Sequence, residues 1–452
     1  MVFAESLDQL FIEPVSKDVL RIGEDGQALA TSSHRFAIAN HTIDFDSPEA
    51  ISDAAAVETE GFTASTSPEL REAHDAAFAE AASTGDEIYG SLDDMPLVRR
   101  TGHFRRMEIL QGIPLGEISQ SVVVDFGTGP WGFAAIYPAL KNGRLCIGFD
   151  VSAVACKSAV SVTDERDLER TIYATSDGEV IPLADDSVDV FFGGEVIEHV
   201  RNPRVFMQEI ARVCREGAQV VLTTPNRDAL SYLISGEPYA TGPEHTALMS
   251  VPEFRDVLRL FTTEISLWGY ETSLAPKLDE VLTDTELADA VQRRSFEFPE
   301  LATGVISHSR VSKALYRQNQ SDWELTELTW ASDEVEVTGS SQQMHLFANV
   351  QGLLLEDGTS VTIPCRGDGP ILMFWGHDWS GNVEITRGSE VFVKDLFLSE
   401  AGYARVELPA LPRSNSAPIV IRKAGSKGDR SHSDQVIFCK LLDYTEGEPL
   451  AT

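Results

Sequence analysis

Between Leu97 and Leu315 the apolar residues follow two rhythms. Short unbroken runs, among them Val122-Val123-Val124 and Leu145-Cys146-Ile147, alternate with stretches whose apolar positions recur at helical spacing. A run that is apolar at every position needs cover on both faces, so the alternation predicts a parallel sheet between layers of helices. Past Gln318 the rhythm changes. Glu334-Val335-Glu336-Val337, Ser360-Val361-Thr362-Ile363, Asn382-Val383-Glu384-Ile385 and Ala404-Arg405-Val406-Glu407-Leu408 alternate residue by residue, with Gly, Asp, Asn and Pro between them. That pattern predicts an all-β sandwich or jelly roll. Near the start, Asp18 to Ile22, Ala28 to Thr31 and Phe36 to Ile38 are β-leaning runs separated by turns. From Ser47 to Gly90 Ala, Glu, Asp and Ser dominate, and Pro68 to Ala82 is predicted helical, with Ser67 as its cap. The expected organisation is a small β-rich module over 1–50, a helical linker or lid over 51–95, an α/β domain over 96–318 and a β-sandwich over 319–452.

The run Val122-Val123-Val124 leads into Asp125 and then Gly127-Thr128-Gly129-Pro130-Trp131-Gly132. Glycines suit a tight turn that lets a ligand approach the backbone, and a helix after them would offer unpaired N–H groups. The next strand ends in Asp150, about 20 residues further on, where an acid can accept from both hydroxyls of a ribose. Read this far, the pattern fits a nicotinamide dinucleotide and S-adenosylmethionine equally.

Later segments separate the two. Asp177-Gly178-Glu179-Val180-Ile181-Pro182 precedes Asp186-Ser187-Val188-Asp189, then Glu195-Val196-Ile197-Glu198-His199-Val200, then Thr223-Thr224-Pro225-Asn226. From about Phe104 to Gly269 the chain resembles the class I S-adenosylmethionine-dependent methyltransferases. The resemblance implies an α/β, Rossmann-like, seven-stranded sheet with an antiparallel last strand and the cofactor over the carboxyl ends of the strands. It implies that Asp125 faces the methionine part and that the backbone passes beneath it at Gly127 and Gly129. Asp150 would hold the ribose. Asp177 would accept from the adenine amino group, with the Gly178 N–H beside the ring, and Glu195 would line the cleft near the sulfonium. The chain departs from the family where Pro130-Trp131 comes before Gly132; core packing is the expectation for Trp131.

Glu195, Glu198 and His199 have i, i+3, i+4 spacing, so at a helix start they would share one face. His245 follows in a loop expected over the same cleft. Two carboxylates and two imidazoles suit Mg²⁺ or Mn²⁺. The set resembles small-RNA 2′-O-methyltransferases and the catechol O-methyltransferases of the ubiquinone pathway, which implies an ion that chelates a vicinal diol. Without an ion, His199 or His245 would be the general base beside Glu195, or these residues would only brace the cleft. Arg99, His103, Tyr232 and Tyr239 are candidates for acceptor contacts.

Charge narrows the substrate. With 71 acidic against 36 basic residues the net charge is −35, which argues against a nucleic-acid partner and for a neutral acceptor. Five cysteines, none spaced Cys-x-x-Cys, fit neither a disulfide framework nor a zinc ribbon. The first residues lack signal-peptide order and no apolar run is long enough for a bilayer, so cytoplasm is expected and no membrane contact. The first fifty residues resemble a small zinc-ribbon-like module of some bacterial methyltransferases and of a tRNA-methyltransferase activator, without its cysteines. On the C-terminal sandwich, His377-Asp378-Trp379-Ser380-Gly381, Phe374, Trp375 and Tyr403 are core residues or, if exposed, platforms for sugar rings; the sandwich could also dimerise. The expected function is O-methylation of a polyhydroxylated small molecule, glycan or natural product. The alternatives are an N- or C-methyltransferase, a nicotinamide-dependent oxidoreductase, which would lack a Tyr-x-x-x-Lys pair, and a non-catalytic cofactor- or glycan-binding protein.

Overall fold

The computed structural model of the protein describes residues 7–14, 17–22, 28–31, 34–45, 49–50, 97–230, 245–271, 284–321, 323–347, 350–365, 370–398, 401–408, 417–427 and 431–446. The helix expected over Pro68 to Ala82 and the linker expected over 51–95 lie outside them. The chain divides into two compact units, Met1–Tyr239 with Met249–Asn319, and Ala240–Leu248 with Gln320–Thr452.

The first unit is built on one sheet. Its strands are β1 (Arg21–Ile22), β2 (Ala28–Ala30), β3 (His34–Ala39), β4 (Thr42–Ile43), β5 (Glu49–Ala50), β6 (Val122–Phe126), β7 (Leu145–Asp150), β8 (Thr171–Thr175), β9 (Val188–Gly194), β10 (Cys214–Pro225), β11 (Thr262–Tyr270) and β12 (Gly304–Val311). They lie in the order β1-β2-β3-β4-β8-β7-β6-β9-β10-β12-β11, with β5 beside β3. The pairs from β4·β8 to β9·β10 are parallel, whereas β12 runs antiparallel to both β10 and β11. The N-terminal strands therefore extend the central sheet through the β4·β8 pair. Around the sheet are α1 (Leu97–Gly112), α2 (Ala153–Val162), α3 (Pro203–Val213), α4 (Val251–Arg259), α5 (Thr285–Glu297) and α6 (Lys313–Asn319).

Alternate side chains of the central strands feed two cores. Val122, Val124, Phe126, Leu145, Ile147 and Phe149 belong to one, and Val123 and Cys146 to the other, as the period of two requires. Phe206 of α3 closes the first core, its ring 5.1 Å from Phe126. That helix starts where it does because Asn202 caps it, accepting from the Arg204 N–H at 2.9 Å, and Pro203 suits its first turn. All five cysteines are buried thiols.

The second unit holds two antiparallel sheets. One has six strands, β13 (Trp323–Thr329), β15 (Ser341–Phe347), β16 (Val350–Leu355), β18 (Ile371–Gly376), β21 (Gly402–Glu407) and β23 (Ile437–Glu446). The other has five, β14 (Glu336–Thr338), β17 (Ser360–Ile363), β19 (Asn382–Arg387), β20 (Glu390–Asp395) and β22 (Ile419–Lys423). One core draws Leu372, Phe374 and Phe438 from the first sheet and Val361, Val383 and Ile421 from the second.

Gly148 shows how tightly the first unit packs. A first side-chain carbon there would lie 2.6 Å from the ring of Tyr173. That ring is fully buried and fixed by hydrogen bonds of its hydroxyl with the Phe133 N–H and Thr163. Gly148→Ala is expected to destabilise the first unit by about 1–3 kcal/mol, read as a lower melting transition. Gly112→Ala, at the end of α1 with nothing within 4 Å, serves as the control and should melt as wild type or slightly higher. Equal melting of G148A and wild type would contradict this packing.

Candidate active site at the carboxyl ends of the strands

The chain leaves β6 through a turn that only glycine fits. Gly127 has φ +74°, and a side chain there would meet Val196 at 3.1 Å. The Gly127 and Thr128 N–H groups donate to the Phe149 carbonyl at 2.8 and 2.9 Å. The α-helix expected after the glycines does not form; Gly129–Trp131 is a single 3₁₀ turn. The cause is local. Gly132 and Ala134 both have positive φ, +89° and +59°, and the Ala134 N–H donates to Asp125 at 2.6 Å instead of to a helical carbonyl. Trp131 is not a core residue: it is 39% exposed and its ring lies against Gly129, 2.5 Å from where a side chain would begin.

Both acids expected beneath a cofactor are woven into this turn. Asp150 accepts from the Gly129 N–H at 3.0 Å and from the Ser152 N–H at 2.9 Å. Asp125 is buried, and burial pushes its carboxyl up to about 7, with the charge of Asp150 adding to the shift and the Ala134 N–H opposing it. Beyond β8, Asp177 accepts from the Glu179 N–H at 3.0 Å. Gly178, φ +83°, is crowded by the rings of Phe206 and Phe126, and its N–H donates to Ser176 at 3.2 Å. Arg201 grips Glu179 with two hydrogen bonds, 2.8 and 2.6 Å, and stands 3.5 Å from Asp177. Asp189 sits at the opposite, amino ends of the strands, where it accepts from the Val122 N–H at 2.8 Å and pairs with Arg215.

Glu195 follows β9 with φ +55°, a conformation that costs a non-glycine residue about 1–2 kcal/mol. Its carboxylate holds it there. One oxygen accepts from Thr223 at 2.6 Å, from Tyr270 at 2.6 Å and from Arg106 at 3.2 Å. Arg106 is 4% exposed, donates also to Thr223 at 2.7 Å, and lies 5.0 Å above the Tyr270 ring. Burial drives the Tyr270 phenol well above its usual range, so it stays a donor. Sequence reasoning missed Arg106, Tyr270 and Arg201; they come from α1, the end of β11 and the turn before α3.

Glu195 to Val200 is a turn, not the start of a helix: the His199 N–H reaches back to the Val196 carbonyl, and α3 begins only at Pro203. Glu198 is fully buried. One of its oxygens accepts from Thr224 at 3.0 Å; the other has no hydrogen-bond donor among the described residues and lies 3.8 Å from His199 Nε2. Burial, helped by the charge of Glu195, raises its carboxyl well above the ordinary range. His245 falls in Ala240–Leu248, which groups with the second unit; within the first unit the structure sets Glu198 beside His199, whereas the bonded oxygen of Glu195 is turned to Thr223, Tyr270 and Arg106. Of the acceptor candidates, Arg99 and His103 are on α1, and Tyr232 and Tyr239 lie outside the described residues.

Residues 124–222 match the family model described as "Methyltransferase domain". An uncharacterized methyltransferase of Mycolicibacterium vanbaalenii is 32% identical over 149 residues, 32% of this chain and 53% of that protein. A probable chloroplastic tocopherol O-methyltransferase of Oryza sativa subsp. japonica is 31% identical over 103 residues, 23% of this chain and 28% of that one. A solved S-adenosylmethionine-dependent methyltransferase of Aquifex aeolicus aligns at 15% identity and TM-score 0.34, over 52% of this chain and 98% of that chain. The first unit carries a methyltransferase domain of the class I, S-adenosylmethionine-dependent family. The chain spans about half the length of the first of these curated relatives and less of the second.

The state of Asp125 has a measurable consequence. Its folded pKa, about 7, lies above the unfolded carboxylate value near 4. Its stabilising contribution is therefore complete below about pH 4 and lost as the pH rises through 7. Asp125→Asn, neutral throughout, should remove that loss. The stability of wild type relative to the variant should fall between pH 4 and 7 by on the order of 1–4 kcal/mol. A flat difference over this window, measured by thermal melting, would show that the carboxyl titrates normally.

Proposed function

We propose that the protein is an S-adenosylmethionine-dependent O-methyltransferase acting on a hydroxyl of a polyhydroxylated small molecule, glycan or natural product, assisted by Mg²⁺ or Mn²⁺. In this reading β8-β7-β6-β9-β10-β12-β11 is the seven-stranded sheet of the methyltransferase and the second unit is a β-sandwich. The observation that carries the choice of metal-assisted O-methylation is the buried Glu198 oxygen that lacks a donor and stands 3.8 Å from His199 Nε2. An orphaned carboxylate oxygen beside an imidazole suits a hard divalent cation. The O-methyltransferase among the relatives supports the choice of oxygen as acceptor.

The residues also fit the cofactor. Gly127, at φ +74°, lets the backbone turn tightly where it would pass beneath the cofactor. Asp150, at the end of β7, accepts from the Gly129 and Ser152 N–H groups, which fix its carboxylate at the turn where it would hold a ribose. S-adenosylmethionine supplies a methyl group on a sulfonium, open to in-line attack. Asp177 and Gly178 border the adenine end, and Glu195, fixed by Arg106, Thr223 and Tyr270, borders the reacting end. Glu198 and His199 would hold the ion, whose chemistry is to acidify an acceptor hydroxyl. Glu195 keeps its carboxylate in one place and orients the acceptor. No nucleic-acid acceptor is proposed, because the charge of −35 opposes phosphate. Among the described residues no helix is long and apolar enough to cross a membrane.

The test supplies methyl-labelled S-adenosylmethionine with catechol or methyl α-glucopyranoside. Label should enter at least one acceptor, vanish after dialysis against chelator and return with Mg²⁺ or Mn²⁺. Glu198→Gln should cost about 10²-fold or more in kcat/KM. Full activity after chelation removes the ion and leaves His199 as the base, in which case His199→Ala alone should cost about 10²–10⁴-fold. Transfer to neither diol overturns the proposed acceptor class.

A further inference from the structure

The second unit carries an aromatic group that its fold does not use. Phe374, Trp375 and Phe438 are buried, and Tyr403 packs edge-on against Trp375 at 5.6 Å. Trp379 differs: half of it is exposed. The backbone that presents the indole is nevertheless held in place, because the two loops, 377–381 and 431–435, are tied together backbone to backbone.

Trp379 donates its N–H to His377 Nδ1 at 3.0 Å and accepts at its carbonyl from the Gln435 N–H at 3.1 Å. The Gly381 N–H donates to the Gln435 carbonyl at 2.7 Å, and the His432 N–H to the Asp378 carbonyl at 2.9 Å. The contact is so close that any side chain at Gly381 would fall 2.5 Å from Asp434 Cα. Ser380, fully buried, fastens the first loop by accepting from the His377 N–H at 3.0 Å. Lys427 fastens the second by donating to the Ser431 carbonyl at 2.9 Å. With the backbone satisfied in this way, three side-chain groups point outward: the Trp379 ring, the His432 ring and the Asp378 carboxylate. The two rings stand 5.8 Å apart and tilted by 53°, an open notch rather than a stacked pair. The Asp378 carboxylate lies 3.9 Å from His432 Nε2.

We propose that loops 377–381 and 431–435 form a carbohydrate-binding site, in which Trp379 stacks on a neutral pyranose and Asp378 and His432 hydrogen-bond its hydroxyls. An indole face complements the apolar C–H face of a sugar ring. A carboxylate offers about four acceptor positions and an imidazole offers a donor and an acceptor, which matches neighbouring hydroxyls. The loops are already fixed, so little ordering cost opposes binding. The charges select among ligands. Asp378 and the overall excess of acid oppose an anion, while the neighbouring Asp434 is paired with Lys423 at 3.0 Å. The Lys427 ammonium, fixed on Ser431, opposes a cation, which would also lack the further aromatic faces of a cage. The site lies wholly in the second unit and is independent of methyl transfer.

The experiment titrates the full-length protein by calorimetry with cellohexaose, maltohexaose, mannohexaose, xylohexaose and chitohexaose. At least one should bind with Kd on the order of 0.1–1 mM. Trp379→Ala should weaken that binding about tenfold or more and Asp378→Asn about threefold or more. Trp379→Phe should retain part of it, and all three variants should melt as wild type, because none of the replaced groups is buried. Failure of all five sugars at about 10 mM overturns the proposal, as does undiminished binding by Trp379→Ala. Binding of tetramethylammonium in place of a sugar would overturn it in favour of a cation site. Conversion of a dimer to a monomer by Trp379→Ala, seen by light scattering without sugar binding, would make the face a contact between copies.

Discussion

One carboxylate fastens the working edge of the first unit. Arg106 is almost wholly buried, and a buried guanidinium is tolerable only beside a negative charge and hydrogen-bond acceptors. Glu195 supplies the charge, and Thr223 and Tyr270 complete the set. The four residues come from α1, from the end of β9, from β10 and from β11, so the cluster joins four elements that are remote in sequence. It also explains why a glutamate occupies a left-handed conformation better suited to glycine. About 1–2 kcal/mol of backbone strain is small against three hydrogen bonds to an ionised group, each worth about 1.5–3 kcal/mol.

The same edge shows how backbone and acid are matched along neighbouring strands. β6 and β7 run parallel in register, Asp125 beside Gly148 and Phe126 beside Phe149. The turn after β6 donates to Phe149, and Asp150 at the end of β7 returns a bond to Gly129. Two parallel strands thus fix a glycine turn that lacks a helix behind it. In place of a helix terminus, the loop offers the partly exposed Trp131, its ring laid against Gly129. Thr223 and Thr224, successive residues of β10, each secure one of the two glutamates after β9. Glu195 is thereby locked by donors, while Glu198 keeps one oxygen without a donor among the described residues.

Much of this was legible in the sequence. Unbroken apolar runs such as Val122-Val123-Val124 need cover on both faces, and they lie in the central parallel strands with alternate residues in the two cores. The alternating runs past Gln318 mark strands of the second unit, for example β17 and β19. The series from Asp125 to Asn226 pointed to the methyltransferase domain, and residues 124–222 match that family. Local detail failed where backbone conformation overrode spacing. The glycine run implied a helix, but Gly132 and Ala134 turn left-handed, and the Glu-Val-Ile-Glu-His-Val segment is a turn because the cap and proline that start α3 come later. Arg106 and Tyr270 stand 89 and 75 residues from Glu195. No local pattern links them, because only strand order brings them together. For Trp379, alternation could not separate a core aromatic from an exposed one; the bonds between its two loops do.

The central claim is that the carboxyl ends of β6 to β9 form the pocket for S-adenosylmethionine, with Asp150 on the ribose. Calorimetric titration of the full-length protein and of Asp150→Ala with S-adenosylhomocysteine tests it most directly. The account predicts one site per chain with Kd on the order of micromolar for the wild type, weakened about 10- to 100-fold in the variant, whose melting temperature is to be checked alongside. No heat at millimolar ligand, or equal affinity of a folded Asp150→Ala variant, would contradict it.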